Sequence, residues 1–424
     1  MPLYKDLSWR GLVSQATHDD LDAALERERF IVYAGFDPTA DSLHIGSLVP
    51  MMGLLHFQRA GHTPIALLGS GTAMIGDPSG KSEERNLLSD EIIQQNLAGC
   101  EAQLRRFFDT EGDNAVIFAN NLDWLGSLNF IELLRDIGKP FSVNVMMAKE
   151  SVRARLEDRE QGISYTEFSY QLLQAYDFLE LFDRHGCRMQ IGGNDQWGNI
   201  VAGMDLTRRL RDGAVTYGMT LPLVTKADGT KFGKTEAGNV WLDPQRTSPY
   251  KFYQFWLNQA DDDVVRYLKF FTFLPRAEIE ALEQELRDEP HKRAAQRRLA
   301  EEVTRLVHGD DALEGAVKAS EALFGGDLHG LDEATLSDVF SEAPSSSLPA
   351  DLPDAGRPLL DVLVEAEVFA SKGEARRMVK NGGLYLNNER IDADDATLTR
   401  EVLLTDTLAV VRKGKKNSHL LRFE

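Results

Sequence analysis

GFDPTADSLHIGSLVPMM, residues 35–52, joins a short apolar run to a helical pattern. The run that leads into it, FIVYAGF at residues 30–36, is typical of a strand buried on both faces. From Leu48, apolar residues recur at i, i+3, i+4 and i+7, which predicts a helix with one apolar face. TPIALLG at residues 63–69 repeats the strand pattern. Together these segments predict a βαβ unit.

Further strand patterns follow at 115–120 (AVIFAN), 188–193 (RMQIGG) and 220–225 (TLPLVT), and they alternate with helical patterns. This alternation predicts an α/β fold with a Rossmann-like, doubly wound parallel sheet. Such sheets bind ligands at the carboxyl ends of their strands. The site is therefore expected where the first strand turns into residues 35–52.

The sequence pattern of the rest of the chain differs from that of the predicted sheet. Aromatic-rich helical patterns start at about Pro249, and a stretch without Lys or Arg, rich in Pro and Ser, precedes a small α+β segment. In that segment SKGEARRMVKNGG (371–383) predicts an amphipathic helix, and LYLNNERI predicts a hairpin. The predicted parts are a catalytic domain with an inserted dimerisation region at 1–248, an α-helical domain at 249–325, a linker at 326–356 and an α+β domain at 357–424.

Composition excludes several classes of protein. Hydrophobic residues make up 42% and charged residues 27% of the 424 residues, as in ordinary globular enzymes, so we expect a cytoplasmic protein with no membrane segment. The net charge of -20 argues against general attraction to nucleic acids, although residues 357–424 are nearly neutral, with 12 basic and 11 acidic residues. Cys100 and Cys187 stand alone, so neither a disulfide framework nor a thiolate zinc site is predicted.

The residues after the first strand suit an anion. His44 and Gly46 fall at the start of a predicted helix, where unpaired N–H groups and the helix dipole favour a phosphate. Because Gly46 has no side chain, a base or ribose could approach its backbone closely. The alternative is a histidine satisfied by its own turn.

Two further clusters carry polar chemistry. DGTKFGKT at 228–235 places Lys231 and Lys234 in a glycine-bearing loop, where two ammonium groups could reach one polyphosphate. Tyr170, Gln174 and Asp177 are spaced by four and three residues, so one helix face could present all three to a cavity. Taken alone, the first is more often a solvated turn and the second a solvated face.

These motifs together resemble a known family. HIGS at 44–47 resembles the HIGH signature of the class I aminoacyl-tRNA synthetases, and KFGKT at 231–235 resembles their KMSKS loop. YAGFDPTADSLHIG, GDPSGKSEER, SYQLLQAYDF and QIGGNDQWGNI are similar to segments of the bacterial tyrosyl-tRNA synthetases. The resemblance covers essentially the whole chain and includes a closing domain similar to a small-ribosomal-subunit protein that binds RNA. Ser47 departs from the pattern, because it stands in place of the second signature histidine and cannot carry a positive charge.

The resemblance implies an enzyme that activates L-tyrosine with ATP and transfers the tyrosyl group to tRNA(Tyr), releasing AMP and pyrophosphate. It implies a set of tyrosine-binding residues: Tyr33, Asp77, Tyr170, Gln174, Asp177 and Gln196. It also implies residues that act on the ATP phosphates: His44, Lys81, Arg85, Lys231, Lys234 and Thr235. The further ATP or adenylate positions are Gly35, Asp37, Thr39, Gly46, Gly193 and Asp195. Mg²⁺ is expected to accompany ATP, with no dedicated metal site and no tightly bound cofactor.

The same resemblance implies a homodimer that grips tRNA through local basic surfaces. The candidate RNA-binding residues are Arg376, Arg377, Lys380, Arg412, Lys413, Lys415 and Lys416. Apolar material such as LDWLGSLNFIELL is available for the dimer contact. The alternative is that these basic residues form a solvated, partly ion-paired surface with no binding role.

Two other functions stay open from the sequence. One is a different nucleotidyltransferase with a HIGH signature, which would need neither the helical region nor the closing domain. The other is a catalytically inactive RNA-binding protein, which is suggested by Ser47 in place of the second signature histidine. Normal aminoacylation by the purified protein would exclude the second.

Overall fold

The structure is a computed structural model that describes residues 1–79, 88–149, 152–153, 156, 162–227, 229, 232–235, 238–322, 325–341, 343–414 and 417–424, with the backbone alone at 234–235. The chain divides into two compact units. The first contains Met1–Asp243 and Ala260–Ala295, and the second contains Pro244–Gln259 and Gln296–Glu424.

The helices are numbered along the chain: α1 Leu3–Arg10, α2 Leu21–Arg27, α3 Leu48–Arg59, α4 Ser70–Ala73, α5 Asp90–Leu104, α6 Leu122–Leu125, α7 Phe130–Glu132, α8 Val143–Ala148, α9 Tyr165–His185, α10 Trp197–Leu210, α11 Pro249–Leu257, α12 Asp261–Phe271, α13 Arg276–Asp288, α14 Ala294–His308, α15 Asp310–Ala322, α16 Glu333–Val339, α17 Leu359–Glu365 and α18 Lys372–Lys380. Turns of 3-10 helix at Ile45–Ser47 and Asn194–Gln196 lead directly into α3 and α10.

The strands of the first unit are β1 Gln15–Ala16, β2 Ile31–Phe36, β3 Thr63–Leu68, β4 Ile117–Asn120, β5 Met189–Gly193, β6 Tyr217–Leu221, β7 Lys234–Thr235 and β8 Gly238–Asn239. Six of them form one sheet in the order β1-β6-β5-β2-β3-β4, in which only β1 runs antiparallel. The predicted Rossmann-like, doubly wound sheet is confirmed.

The strand order positions the site. After β2 the chain adds β3 and β4 on one side, and then returns to place β5 on the other side of β2. The carboxyl ends of β2 and β5 are therefore neighbours at a topological switch point, where such sheets leave a crevice. Tyr33 and Gln190 are opposite each other in this pair.

Helix α3 covers the sheet next to that crevice. The predicted apolar stripe is widened to almost the whole helix, because Leu48, Met51, Met52 and Leu54 are all at most 1% exposed. Gly53 lets the helix lie close to the strands, since an added Cβ would be 2.9 Å from Ile191 Cδ1. Burial on several faces fixes where the turn that precedes α3 must lie.

One strand lies earlier than predicted. The pattern TLPLVT predicted a strand over 220–225, whereas β6 covers Tyr217–Leu221. Pro222 has no N–H to donate to a sheet ladder, so the strand ends before it. Residues 222–227 consequently form a connection between β6 and the lysine-bearing loop.

The second unit contains β9 Ser345–Leu348, β10 Arg357–Pro358, β11 Leu384–Leu386, β12 Glu389–Arg390, β13 Thr397–Leu398, β14 Leu408–Lys413 and β15 Asn417–Phe423. Five of these form a sheet in the order β12-β11-β14-β15-β9, and β10 pairs with β13. The predicted helix is present as α18, and the predicted hairpin joins β11 to β12 through Asn387 and Asn388, both at positive φ.

The second unit also differs from the predicted division. Residues 326–356, predicted as a linker, contain α16 and β9, and β9 pairs in parallel with β15. Leu336 and Phe340 of this segment pack with Tyr250 and Leu420 in one hydrophobic cluster. The apolar spacing within the segment outweighs the Pro and Ser content on which the linker prediction depended. The helical region also divides: α12 and α13 lie in the first unit, and α11 and α15 lie in the second.

Candidate active site

A cleft of about 510 Å³ opens at the carboxyl ends of β2 and β5. Its volume is within the range of sites that take nucleotides or drug-sized ligands. The structure brings the following predicted site residues together on its walls: Tyr33, Gly35, Asp37, Thr39, His44, Gly46, Asp77, Tyr170, Gln174, Asp177, Gly193, Asp195 and Gln196.

The floor of the cleft holds a tyrosine and an aspartate. Tyr33 is 1% exposed, and its hydroxyl has no hydrogen-bond partner among the described groups. Asp177, also 1% exposed, accepts hydrogen bonds from Trp124 Nε1 at 2.8 Å and from Asn121 Nδ2 at 3.1 Å. An unpaired hydroxyl and a carboxyl group with remaining hydrogen-bonding capacity suit a buried ligand group that can both donate and accept.

Burial dominates the ionisation of this pair. It raises the pKa of Asp177 to about 8, although the hydrogen bonds from Asn121 and Trp124 act in the opposite direction. Burial, followed by the nearby Asp177 charge, raises the pKa of the Tyr33 hydroxyl well above its usual value. Tyr33 is therefore a neutral phenol at physiological pH, able to donate a hydrogen bond.

A polar network lines the next level of the cleft. Tyr170 donates from its hydroxyl to Asp37 Oδ2 at 3.1 Å. Gln196 Nε2 donates to Asp77 Oδ2 at 2.7 Å, and Gln174 Nε2 donates to Gln196 Oε1 at 3.1 Å. The buried Oε1 of Gln174 has no hydrogen-bond partner among the described groups. Two carboxylates and an amide oxygen thus converge where a cationic group could bind.

Helix α9 explains this convergence. Its N-cap is Ser164, whose side chain accepts from the N–H of Glu167, and its C-cap is Gly186 in the left-handed conformation. Within it Tyr170 and Asp177 are buried and line the same cleft. The prediction that one face of this helix serves a cavity is confirmed by the geometry.

At the mouth of the cleft, His44 caps the 3-10 turn that leads into α3. Its Nδ1 accepts the N–H of Gly46 at 3.0 Å, while the residue itself is exposed. The turn requires glycine, because a Cβ at Gly46 would be 2.7 Å from His44 Cε1. His44 is thus bound to its own turn, as the alternative interpretation held, and it also lines the cleft. Ser47 lines the cleft beside it.

The lysine-bearing segment runs along this mouth. Ile45 donates its N–H to Val240 O at 3.0 Å, and His44 forms a β-bridge with Trp241. Gly233 lies so close that an added Cβ would be 2.9 Å from Ile45 Cγ1. The backbone next to Lys234 therefore lies beside the His44 turn, although the two motifs are almost 190 residues apart.

Several predicted residues are not placed by the structure. Lys81, Arg85, Lys231, Lys415 and Lys416 lie outside the described residues, and the side chains of Lys234 and Thr235 are not described.

The candidate RNA-binding residues fall into two groups. Arg376, Arg377 and Lys380 are exposed on α18, where Arg376 pairs with Asp394 at 3.3 Å. The prediction that Arg412 binds RNA is corrected by its burial: the residue is only 9% exposed, and its guanidinium lies 4.3 Å from the centre of the Tyr385 ring. Lys413 donates to Val368 O at 2.7 Å. Arg412 is buried in the packing of β14 whereas Lys413 is half-buried, so we withdraw only Arg412 as an RNA contact.

Sequence reasoning missed three residues that shape the floor. Asn121 directly follows β4 and Trp124 lies in the short helix α6 that comes next, so their position just after a predicted strand was the available signal. Gln190 lines the cleft, and its Oε1 is buried without a hydrogen-bond partner in the described structure. Its neighbours in the motif QIGG are apolar or small, which hid it within a buried strand.

Within the described ranges, no group of three or more His, Cys, Asp or Glu side chains could hold a metal ion. None of the described helices is both long and apolar enough to cross a membrane. Cys100 and Cys187 are both buried and unpaired.

Comparison with known proteins identifies the family. The family model of class I tRNA synthetases (W and Y) matches residues 25–325, and the model of the tyrosine–tRNA ligase SYY-like C-terminal domain matches residues 335–421. Tyrosine–tRNA ligases of Bacillus caldotenax and Geobacillus stearothermophilus are each 54% identical over 426 aligned residues, covering 100% of both chains.

A solved structure agrees. The C-terminally truncated mitochondrial tyrosyl-tRNA synthetase of Aspergillus nidulans superposes with a TM-score of 0.69 at 31% identity, covering 76% of this chain and 94% of that one. The predicted resemblance is confirmed: the chain belongs to the class I aminoacyl-tRNA synthetases and, within them, to the bacterial tyrosine–tRNA ligases.

Proposed function

We propose that this cleft joins L-tyrosine to AMP and then passes the tyrosyl group to tRNA(Tyr). The observation that carries the proposal is the buried pair at the floor, an unpaired Tyr33 hydroxyl beside the Asp177 carboxyl. A substrate phenol would accept from Tyr33 and donate to Asp177. Phenylalanine would leave both groups unpaired in a dry site, which is a large penalty. Tyrosyl-tRNA synthetases are the standard example of this kind of discrimination.

The polar level above the floor suits the substrate ammonium. Asp77, Tyr170 and Gln174 present a carboxylate, a hydroxyl and an amide oxygen to the same cleft. Gln196, whose Nε2 donates to Asp77 at 2.7 Å, would face the tyrosine carbonyl. These contacts would fix the substrate carboxylate towards the mouth, where the nucleotide enters.

In the first step, a carboxylate oxygen of tyrosine attacks the α-phosphorus of ATP, and the bond to the bridging oxygen breaks as pyrophosphate leaves. This reaction needs no enzyme nucleophile, so positioning and neutralisation of phosphate charge supply most of the acceleration. We assign this task to His44, Thr39, Lys81, Arg85, Lys231, Lys234 and Thr235. Ser47 is not given the role of the missing imidazole.

The remaining wall of the cleft suits the adenosine half of ATP. Asp195 follows β5 and would accept from the ribose hydroxyls, while Gly35, Gly46 and Gly193 leave backbone open beside Asp37. Mg²⁺ would enter with ATP, bound by its phosphates and by water.

In the second step, a hydroxyl of the terminal tRNA ribose attacks the tyrosyl carbonyl, and AMP leaves. We propose that Arg376, Arg377 and Lys380 on α18 contact the tRNA backbone, with Lys413, Lys415 and Lys416 as further candidates. The exposed position of the first three supports this role. Their local positive charge is needed because the whole chain is acidic.

We further propose that the enzyme is a cytoplasmic homodimer. Several large apolar side chains lie exposed near α7 and α8: Phe130, Ile131, Leu134, Val143 and Val145. Such a concentration of exposed apolar residues is unusual for a monomer and is typical of a subunit contact. The first 248 residues would then hold both the cleft and the dimer surface. Residues 249–325 and 357–424 would serve tRNA.

The division of roles is tested by two variants. Asp177→Ala should weaken tyrosine binding, whereas Lys234→Ala should leave tyrosine binding unchanged within about twofold and slow adenylate formation by at least about tenfold. Equilibrium dialysis with tyrosine and single-turnover adenylate formation measure the two effects. Equal effects of both variants on affinity and rate would contradict the assignment.

A further inference from the structure

Helix α12 holds the segment that leads into the lysine-bearing loop. Asp263 in its first turn is 3% exposed, and its Oδ2 accepts the N–H of Ala227 at 3.1 Å. Its Oδ1 pairs with Arg266 at 2.6 Å. A buried carboxylate is costly unless it is paired and hydrogen-bonded, and here both conditions are met by one helix turn and one loop N–H.

The carbonyl two residues earlier is held by the same helix. Arg266 donates to Thr225 O, and the Tyr267 hydroxyl donates to the same oxygen at 3.4 Å. A single guanidinium nitrogen of Arg266, Nη2, thus joins the Asp263 carboxylate to the Thr225 carbonyl of the loop. Residues 225–227 are therefore attached to α12 through both a backbone acceptor and a backbone donor.

The far side of the loop is attached to the same helix by an aromatic contact. Phe232 stacks on Phe271 with ring centroids 5.5 Å apart at 13°, and it lies 4.9 Å from the Tyr267 ring. Phe232 also lines the cleft. In sequence, Lys231 stands between the two attached ends, and Lys234 follows Phe232 by two residues.

We propose that Asp263 and Arg266 are positioning residues for adenylate formation. By fixing Thr225 and Ala227 to α12, they set where Lys234 meets the phosphates of ATP. This inference rests on the proposed role of Lys234. Its physical reason is that displacing a charge-stabilising group by about 1 Å can lower a rate by up to about 100-fold.

The first test compares variants of one acceptor. Asp263→Ala should lower kcat of tyrosine-dependent pyrophosphate exchange about tenfold or more, with the KM for tyrosine unchanged within about twofold. Asp263→Asn retains an oxygen for the Ala227 N–H and should recover part of the rate. Glu280→Ala is the matched control, because Glu280 pairs with Arg276 on the exposed surface of α13 and touches neither loop end. A rate for Asp263→Ala equal to that of Glu280→Ala would overturn the proposal.

The second test asks whether Asp263 acts through Lys234. In a Lys234→Ala background, adding Asp263→Ala should cost less than about threefold, because residues that act as a unit are not additive. Effects that multiply in full would show that Asp263 acts elsewhere and would overturn the proposal. Should Asp263→Ala fail to fold, Arg266→Met serves instead, since it keeps the aliphatic stem but removes the nitrogen that donates to Thr225 O and to Asp263. A normal exchange rate for Arg266→Met would also overturn it.

Failure of the proposed lysine role can be distinguished from failure of the positioning role of Asp263. If Lys234→Ala itself leaves exchange at the wild-type rate, the proposed lysine role fails. If Lys234→Ala is slow but the Asp263 variants behave like Glu280→Ala, only the positioning role fails.

Discussion

Tyr33→Phe separates the hydroxyl's contribution to substrate binding from its contribution to the fold. In the described structure the Tyr33 hydroxyl is buried without a hydrogen-bond partner, while its ring packs edge-to-face on Phe178 at 5.3 Å. Phenylalanine keeps that ring contact. Removing an unpaired buried donor should not cost stability, so we expect the free energy of unfolding to stay within about 0.5 kcal/mol of wild type or to rise.

Tyrosine binding should respond differently. A hydrogen bond between neutral groups contributes about 0.5–1.5 kcal/mol, which predicts a Kd for tyrosine about 2- to 13-fold weaker. Discrimination against phenylalanine should fall by a similar factor, because the variant no longer leaves a buried donor unpaired. The assays are equilibrium dialysis with tyrosine and pyrophosphate exchange driven by each amino acid.

Tyr176→Phe is the matched control. Tyr176 and Glu180 both lie on α9, where the Tyr176 hydroxyl donates to Glu180 Oε1 at 2.5 Å. Tyr176 does not line the cleft. It should lose about 0.5–1.5 kcal/mol of stability and keep its tyrosine affinity. The reasoning is refuted if Tyr33→Phe loses more than about 1 kcal/mol of stability while binding tyrosine as well as wild type, since the hydroxyl would then serve the fold.

Three more changes test other parts of the account. Burial raises the pKa of Asp177 from 3.8 to about 8, so between those pH values the folded state holds a proton that the unfolded state releases, and this contribution to stability is lost as pH rises. Urea unfolding without tyrosine should therefore show a fall in the free energy of unfolding between pH 6 and pH 8.5 for wild type but not for Asp177→Asn. Parallel profiles would contradict the burial argument. Arg376→Glu with Arg377→Glu and Lys380→Glu should lower tRNA charging at least about tenfold and leave pyrophosphate exchange intact; unchanged charging at physiological salt would remove α18 from the tRNA contact. Ile131→Asp, at a side chain that is 65% exposed, should shift sedimentation towards a monomer, and an unchanged species would exclude this surface from the dimer.

Much of the fold could be predicted because it depends on local patterns. The runs that became β2 and β3 end at glycine or polar residues, and the spacing from Leu48 has the period of a helix. β1 was missed, because two residues at an antiparallel edge carry almost no periodic signal. The strand near Pro222 was misplaced by three residues, since apolar residues continue past the proline that ends the ladder.

The candidate site was predictable to a lesser depth. The spacing of Tyr170, Gln174 and Asp177 predicted that they share one helix face, but the resemblance to the tyrosyl-tRNA synthetases was needed to assign that face to a cavity. Asn121 and Trp124 reach Asp177 only through the pairing of β3 with β4, which no local pattern specifies. Arg412 illustrates the opposite error, because a basic cluster in sequence does not reveal which side chains alternate into the core.

The most direct test of the central claim is pyrophosphate exchange by the purified full chain with single amino acids. A site built around Tyr33 and Asp177 predicts exchange that depends on tyrosine and is faster with tyrosine than with phenylalanine or tryptophan by at least about 1,000-fold in kcat/KM. Exchange without an amino acid, or exchange driven better by tryptophan, would contradict the account.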